Sequence, residues 1–226
     1  VSLMGSDVHA GGWQKWLIKV FVKKRWAFTI AKSKELAEKV GENHCLVIPN
    51  GVDMETFYPI SKDIAKQKLG LDLSKRYLFF AANPVRPEKN FNLAKQAYDN
   101  VKSDGIVLVK MDNIPHNDVP LWMNASDVVC LSSLWEGSPN VIKEAMACNR
   151  PIISTNVGDV EWLLGNEPGH FIASFQVDDF AYKLKLALDY SYECGSTNGR
   201  GRLKQLGLDS QIIAQRIIGI YNKVLK

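Results

Sequence analysis

Two carboxylates with seven residues between them, Glu136 and Glu144, lie in the stretch SSLWEGSPNVIKEAMACNRPIIST, residues 132–155. A strand ends near Leu131, a short loop carries Glu136, Gly137 and Ser138, and Pro139 stands where a helix's first position tolerates a missing N–H. The free backbone N–H groups of such a helix start attract anions, and a diphosphate fits the crevice that forms beyond strand ends in sheets of this kind. From Pro139 to Glu144 the helix rises about 7.5 Å, comparable to the reach from a diphosphate to the ribose beyond it. Asn140 shares a face with Glu144. A carboxylate there offers two acceptor oxygens to neighbouring ribose hydroxyls, each charge-assisted bond being worth about 1.5–3 kcal/mol. Val141, Ile142, Ala145, Met146 and Cys148 make the opposite, apolar face, which is expected to pack on a sheet. Glu136, left in the loop, faces whatever the diphosphate carries.

A second chemical patch is FFAANPVRPEKNFNLAKQA, residues 79–97, where a strand runs into a turn and then a helix. Basic residues at that turn face the same crevice. No aspartate pair and no His/Cys cluster has metal-ligand spacing, so helix-start N–H groups and these cations are left to neutralise a leaving anion. Cys45, Cys130, Cys148 and Cys194 are scattered and read as reduced, mostly buried thiols. His9, His44, His116 and His170 share no catalytic spacing and read as structural or surface residues.

The frame that must position these groups is α/β. Short β-branched runs alternate with helical patterns, which is the signature of parallel α/β units. Strands are expected at 1–4, 27–30, 45–48, 77–82, 106–109, 127–131, 151–154 and 170–173, with Ser33 and Ser61 as N-caps of the helices that end near Gly41 and Gly70. The loop PNGVDMETFYP reads as a domain boundary. Residues 58–208 form a complete doubly wound, Rossmann-like domain. Residues 1–57 hold too few strands for an independent one and read as the C-terminal remnant of another. Residues 209–226, with Ile212, Ile213, Ile217, Ile220, Tyr221 and Val224 in one stripe, form a helix expected to pack across the seam.

At 226 residues, 46% hydrophobic and 23% charged, the chain has the composition of a globular protein. No apolar run approaches the roughly 18–20 residues that span a bilayer, and VSLMGSD lacks the order of a signal peptide, so a cytoplasmic protein is expected. Net charge is +4. Lys15, Lys19, Lys23, Lys24, Arg25 and Lys32 against Asp7 concentrate it in the first 32 residues; the remainder is near neutral, and no nucleic-acid partner is expected. Residues 12–26, GWQKWLIKVFVKKRW, place Trp13, Trp16, Leu17, Val20 and Phe21 on one face and lysines on the other. That face serves either core packing with a solvated basic back or peripheral contact with the anionic inner face of a membrane.

EGSPNVIKEAMA, preceded by VIPNGVDMETFYP and VPLWMNASDVVCLSS and followed by PIISTNVGDVEWLL, resembles in content and order the paired-glutamate pattern of glycosyltransferase family 4, group 1. The likeness covers nearly the whole chain. It implies a GT-B fold, with 58–208 as the nucleotide-sugar-binding domain and 1–57 as the end of the acceptor-side domain. It implies transfer of a sugar, with retention of anomeric configuration and without metal or cofactor, from a UDP-, GDP- or ADP-sugar to a glycan or lipid-linked acceptor. The resemblance gives Glu144 to the ribose and Glu136 to the donor sugar, with Gly137, Ser138, Pro139, Asn140 and Val141 around them. It gives Lys89 to the donor phosphates. The family's glycine and arginine fall on Asn83 and Pro84, so Arg86 supplies the second charge from a shifted position. MGSDV, residues 4–8, resembles a loop facing the donor sugar through Gly5 and Asp7, with Met4 where relatives carry histidine. Between residues 109 and 119 the chain lacks a strand and helix of longer relatives, which leaves the base contacts unassigned. The other reading is a nucleotide-sugar-binding module without turnover; a nicotinamide-dependent dehydrogenase is set aside because no strand is followed by GxGxxG.

Overall fold

A computed structural model of the chain describes residues 1–3, 13–24, 26, 28–40, 45–103 and 105–225. Among these residues, eight strands form two parallel sheets. The first has the order β1-β2-β3, with β1 Ser2–Leu3, β2 Thr29–Ala31 and β3 Cys45–Val47. The second has the order β5-β4-β6-β7-β8, with β4 Arg76–Phe80, β5 Ile106–Lys110, β6 Val128–Leu131, β7 Ile152–Thr155 and β8 His170–Ala173. Each expected strand falls on an observed one, with ends displaced by at most two residues. The helices are α1 Trp13–Lys24, α2 Lys34–Val40, α3 Lys62–Lys68, α4 Phe91–Val101, α5 Val119–Ala125, α6 Asn140–Ala147, α7 Val160–Leu164, α8 Val177–Glu193, α9 Gly199–Gln205 and α10 Ser210–Val224.

The second sheet is built from continuous apolar runs because both of its faces are covered. Alternation along the strands sorts the core into two layers. Phe79, Val129, Leu131 and Ile152 pack with Met123 of α5 and with Ile142 and Met146 of α6. Leu78, Phe80, Val128, Cys130 and Ile153 pack with Leu93 and Ala97 of α4 and with Phe180 and Leu184 of α8. The predicted apolar face of α6 is therefore the face that packs.

The first sheet rests one face on α1 and α2 through Leu3, Val22, Ala31, Leu36 and Val40. Ile30 and Ile48 join the second sheet's core, alongside Phe79, Leu131 and Ile213 of α10. Backbone bonds from Val52 N–H to the Leu208 carbonyl and from Ser210 N–H to the Val52 carbonyl, both 2.9 Å, stitch the connecting segment to the start of α10. Gly51 belongs there because a Cβ would sit 2.6 Å from Ser210 Cα. The Arg200 guanidinium donates to the carbonyls of Phe57 (2.7 Å) and Met54 (2.9 Å) on that segment, and to Ala147 at the end of α6.

The local expectations are met unevenly. Pro139 is the N-cap of α6, in extended backbone, one position before the helical turn. Ser33 caps α2 through its hydroxyl, accepting from Leu36 N–H at 3.3 Å, and Ser61 stands at the N-cap of α3 as expected, without a side-chain capping bond. Of the two readings of the α1 stripe, core packing is not taken up by Trp13 and Trp16, which are 69% and 64% exposed; Val22, with Ile18 and Trp26, makes the buried contact. Cys130 and Cys148 are buried, Cys45 is half-buried, and Cys194 is exposed, so the thiols are less uniformly interior than expected.

Candidate functional site

In the order β5-β4-β6-β7-β8 the chain winds one way from β4 to β5 and the other way from β4 to β6. The loops after β4 and β6 therefore part at a topological switch point, where open α/β sheets place their ligand crevice. A crevice of about 560 Å³ opens there, lined from the β4 side by Asn83, Arg86 and Lys89 and from the β6 side by Glu136 through Val141 and Glu144. Two distant loops thus meet as the spacing argument required.

The β6 loop is held tightly. Ser132 Oγ donates to the carbonyls of Lys89 (3.0 Å) and Asn90 (2.9 Å), and Leu134 N–H donates to the Glu88 carbonyl at 2.8 Å. These bonds tie the two crevice loops together. Asn90, at φ 49°, takes the left-handed turn that starts α4 directly after Lys89, a conformation asparagine accepts more readily than most residues. Lys89 Nζ reaches Glu136 Oε1 at 2.6 Å, and Ser133 Oγ donates to the same oxygen at 2.8 Å. Arg86 does not join this cluster. Its guanidinium pairs with Glu88, and its side chain is 58% exposed at the rim.

Glu144 projects into the crevice from the second turn of α6. Burial raises its carboxyl above the ordinary range, opposed by the charges of His116 and Lys143. Asn140 is exposed and Pro139 buried beside it. Gly5 and Asp7 lie outside the described residues.

Several crevice residues carried no signal in the sequence. His116, read as a structural or surface residue, lines the wall near Glu144, together with Met111, Val119 and Trp135. Lys32 and Asn50 enter from the first sheet and the connecting segment. Lys143, which helical periodicity would leave in solvent, is fully buried. Its ammonium donates to the Asn50 carbonyl at 2.9 Å and to Ser138 Oγ at 2.8 Å. Burial lowers it to about 8, countered by the charges of Asp159 and Glu144 and reinforced by Lys32. Asp159 is buried, and burial raises it to about 6, opposed by the Ser138 hydroxyl and by the charge of Lys143. The adjacent Gly158, at φ +59°, presses on the β6 loop so closely that a Cβ would lie 2.6 Å from the Gly137 carbonyl oxygen.

A second cavity of about 590 Å³ lies between the sheets beyond Gly158, bordered by Ser33, Asp159, Trp162 and Arg216. Among the described residues no three His, Cys, Asp or Glu side chains gather as a metal would need. No helix among them is long and apolar enough to cross a membrane.

Comparison with known proteins agrees with this geometry. Residues 75–189 match the family model described as glycosyl transferases group 1. The chain is 32% identical over 174 residues to the UDP-Gal:alpha-D-GlcNAc-diphosphoundecaprenol alpha-1,3-galactosyltransferase of Escherichia coli, covering 63% of this chain and 45% of that protein. It is 24% identical to the lipopolysaccharide core biosynthesis mannosyltransferase LpsB of Rhizobium meliloti, covering 95% of this chain and 69% of that protein. The chain thus spans less than half the length of the first of these relatives. In structure it is similar to sucrose-phosphate synthase from Thermosynechococcus elongatus, with a TM-score of 0.82 at 17% identity over 99% of this chain and 64% of that one. It is also similar to Anabaena Alr3699/HepE in complex with UDP-glucose, with a TM-score of 0.76 at 16% identity over 97% of this chain and 71% of that one.

Proposed function

Because the chain belongs to the group 1 glycosyltransferases and has the GT-B fold, we propose that its crevice binds a nucleotide sugar and that the sugar is transferred with retention and without metal to a glycan or lipid-linked acceptor. The observation that carries this reading is the convergence of Glu136, Glu144 and Lys89, from two separate loops, on one crevice at the switch point of the sheet. Residues 58–208 serve as the donor domain, residues 1–57 as the end of the acceptor-side domain, and 209–226 as the helix crossing between them.

In this reading the ribose hydroxyls donate to Glu144. The diphosphate lies at the start of α6 against Gly137, Ser138, Pro139, Asn140 and Val141, with Asn83 at its edge. Lys89 stabilises the phosphate oxygens as negative charge grows on them. Arg86, from the rim, can add charge only by leaving Glu88. Glu136 faces the sugar, while Gly5 and Asp7 would approach it from the other domain. The bond from the anomeric carbon to the diphosphate oxygen breaks, with its electron pair passing to that oxygen. An acceptor hydroxyl then bonds to the same face of the anomeric carbon and gives its proton to the departing phosphate. No protein nucleophile is required. Holding both substrates in one crevice removes much of the entropic barrier.

The UDP-glucose named for the Anabaena structure and the undecaprenol-linked acceptor named for the Escherichia coli relative support a sugar nucleotide as donor and a lipid-linked acceptor. An acceptor of that kind would place the protein peripherally on the cytoplasmic face of a membrane. Exposed Trp13 and Trp16 beside lysines of α1 suit that interface. The test is calorimetry. UDP, GDP and ADP are titrated into the protein and into Glu144→Gln, and the nucleotide that binds should lose roughly 10- to 100-fold in affinity, the worth of a charge-assisted bond. Equal binding by both proteins would defeat the ribose assignment. A protein that binds its sugar nucleotide, but transfers to no acceptor even when extended to the relatives' full length, would instead be a binding module.

A further inference from the structure

The charged side chains of the crevice do not balance in the way their count suggests. Lys89 is paired with Glu136 and Arg86 with Glu88, so both cations of the β4 loop are already neutralised in the free protein. Lys32 differs. It follows β2 at the bend where Ser33 begins α2, is only 7% exposed, and lines the crevice from the first sheet's side. Among the described residues its ammonium has neither a carboxylate within ion-pair distance nor a hydrogen-bond acceptor. Behind it lies a second buried lysine, Lys143, bonded to neutral oxygens only.

A buried ammonium without a counter-charge is costly, and a like charge nearby makes it costlier. Burial accordingly lowers Lys32 below the ordinary lysine range, and Lys32 in turn helps to lower Lys143. Such an arrangement is relieved by an anion entering from the crevice.

We propose that Lys32 is a second diphosphate-binding cation, supplied by the first sheet and facing the phosphate oxygens. This rests on the reading of the crevice as a nucleotide-sugar site. It gives the diphosphate a contact on each sheet. The missing arginine at Pro84 is thereby made good from across the crevice rather than from Arg86.

The experiment compares the protein with Lys32→Met and Lys32→Arg, titrating UDP, GDP and ADP and the matching nucleoside monophosphates at low and high salt. For the nucleotide that binds, Lys32→Met should weaken the diphosphate roughly tenfold or more and the monophosphate less, and should flatten the salt dependence. Lys32→Arg should restore much of the loss. The unliganded Lys32→Met protein should melt no lower than the parent, since an uncompensated charge has been removed. Diphosphate binding within twofold of the parent, or a loss that falls equally on mono- and diphosphate, overturns the proposal while leaving the nucleotide site standing. If the parent takes up none of the three nucleotides, the reading of the crevice itself fails, and this inference with it.

Discussion

Asp159 shows how much of this site is decided by single buried groups. Its carboxyl is raised to about 6 because burial removes water, an effect that the Ser138 hydroxyl and the charge of Lys143 only partly oppose. A group that holds its proton more tightly when folded contributes most to stability at low pH. Its contribution declines as pH rises from about 4 to about 6 and is constant above that. At about 1.4 kcal/mol per pH unit the decline amounts to about 2–3 kcal/mol. Asp159→Asn should therefore gain on the parent by about 2 kcal/mol between pH 4 and 6.5, the opposing charge of Lys143 being already contained in the raised value. Urea melts at both pH values measure this; a difference that does not grow with pH would refute the account. The sequence pointed to Glu136, Glu144 and Lys89 as crevice residues because each lies beside a strand end or a helix start. It did not disclose Asp159, Lys143 or Lys32, whose roles depend on burial by segments far away in the chain. Lys143 reads as a solvated helix residue until the Asn50 carbonyl and Ser138, brought by two other loops, close over its ammonium.

At the scale of elements, the crevice depends on how closely the β7–α7 turn abuts the β6 loop. Gly158 is left-handed at φ +59°, and a Cβ would lie 2.6 Å from the Gly137 oxygen and 3.0 Å from that of Glu136. Both neighbours are backbone and cannot rotate aside. Gly158→Ala should therefore displace the loop that carries Glu136 and Ser138, weakening nucleotide binding roughly tenfold or more, in addition to about 1 kcal/mol for the unfavourable backbone. Gly70→Ala is the matched control. Its φ is +66°, but nothing lies within 4 Å of the added Cβ, so it should lose stability only and bind nucleotide as the parent does. Calorimetry on the two variants separates site distortion from backbone strain, and equal affinities would mean that the turn does not shape the loop. The five strands of the second sheet were readable because a sheet covered on both faces needs unbroken apolar runs, a local and periodic signal. The exposure of Trp13 and Trp16 was not, since an amphipathic stripe records that one face is apolar and says nothing of what covers it.

For the molecule as a whole, the question is what makes two sheets behave as one. Ile30 and Ile48 come from the first sheet and its exit, Phe79 and Leu131 from the second, and Ile213 from α10, and all share one buried cluster. Val52 exchanges backbone bonds with Leu208 and Ser210 at the same place, and Arg200 clasps the connecting segment to α6. A core that draws on both sheets should melt cooperatively, because exposing either half removes apolar contacts from the other. Calorimetry of the chain should accordingly show one transition. Ile213→Ala, which truncates a side chain 4% exposed at the junction, should cost about 2–4 kcal/mol and lower the midpoint by roughly 5–10 °C at this chain length. That loss should fall on the single transition. If the variant instead splits the melt in two, with the first sheet lost early, α10 is the principal tie between the sheets. A parent that already melts in two steps would mean that the sheets are energetically independent, and that a donor gripped from both of them must supply the coupling itself.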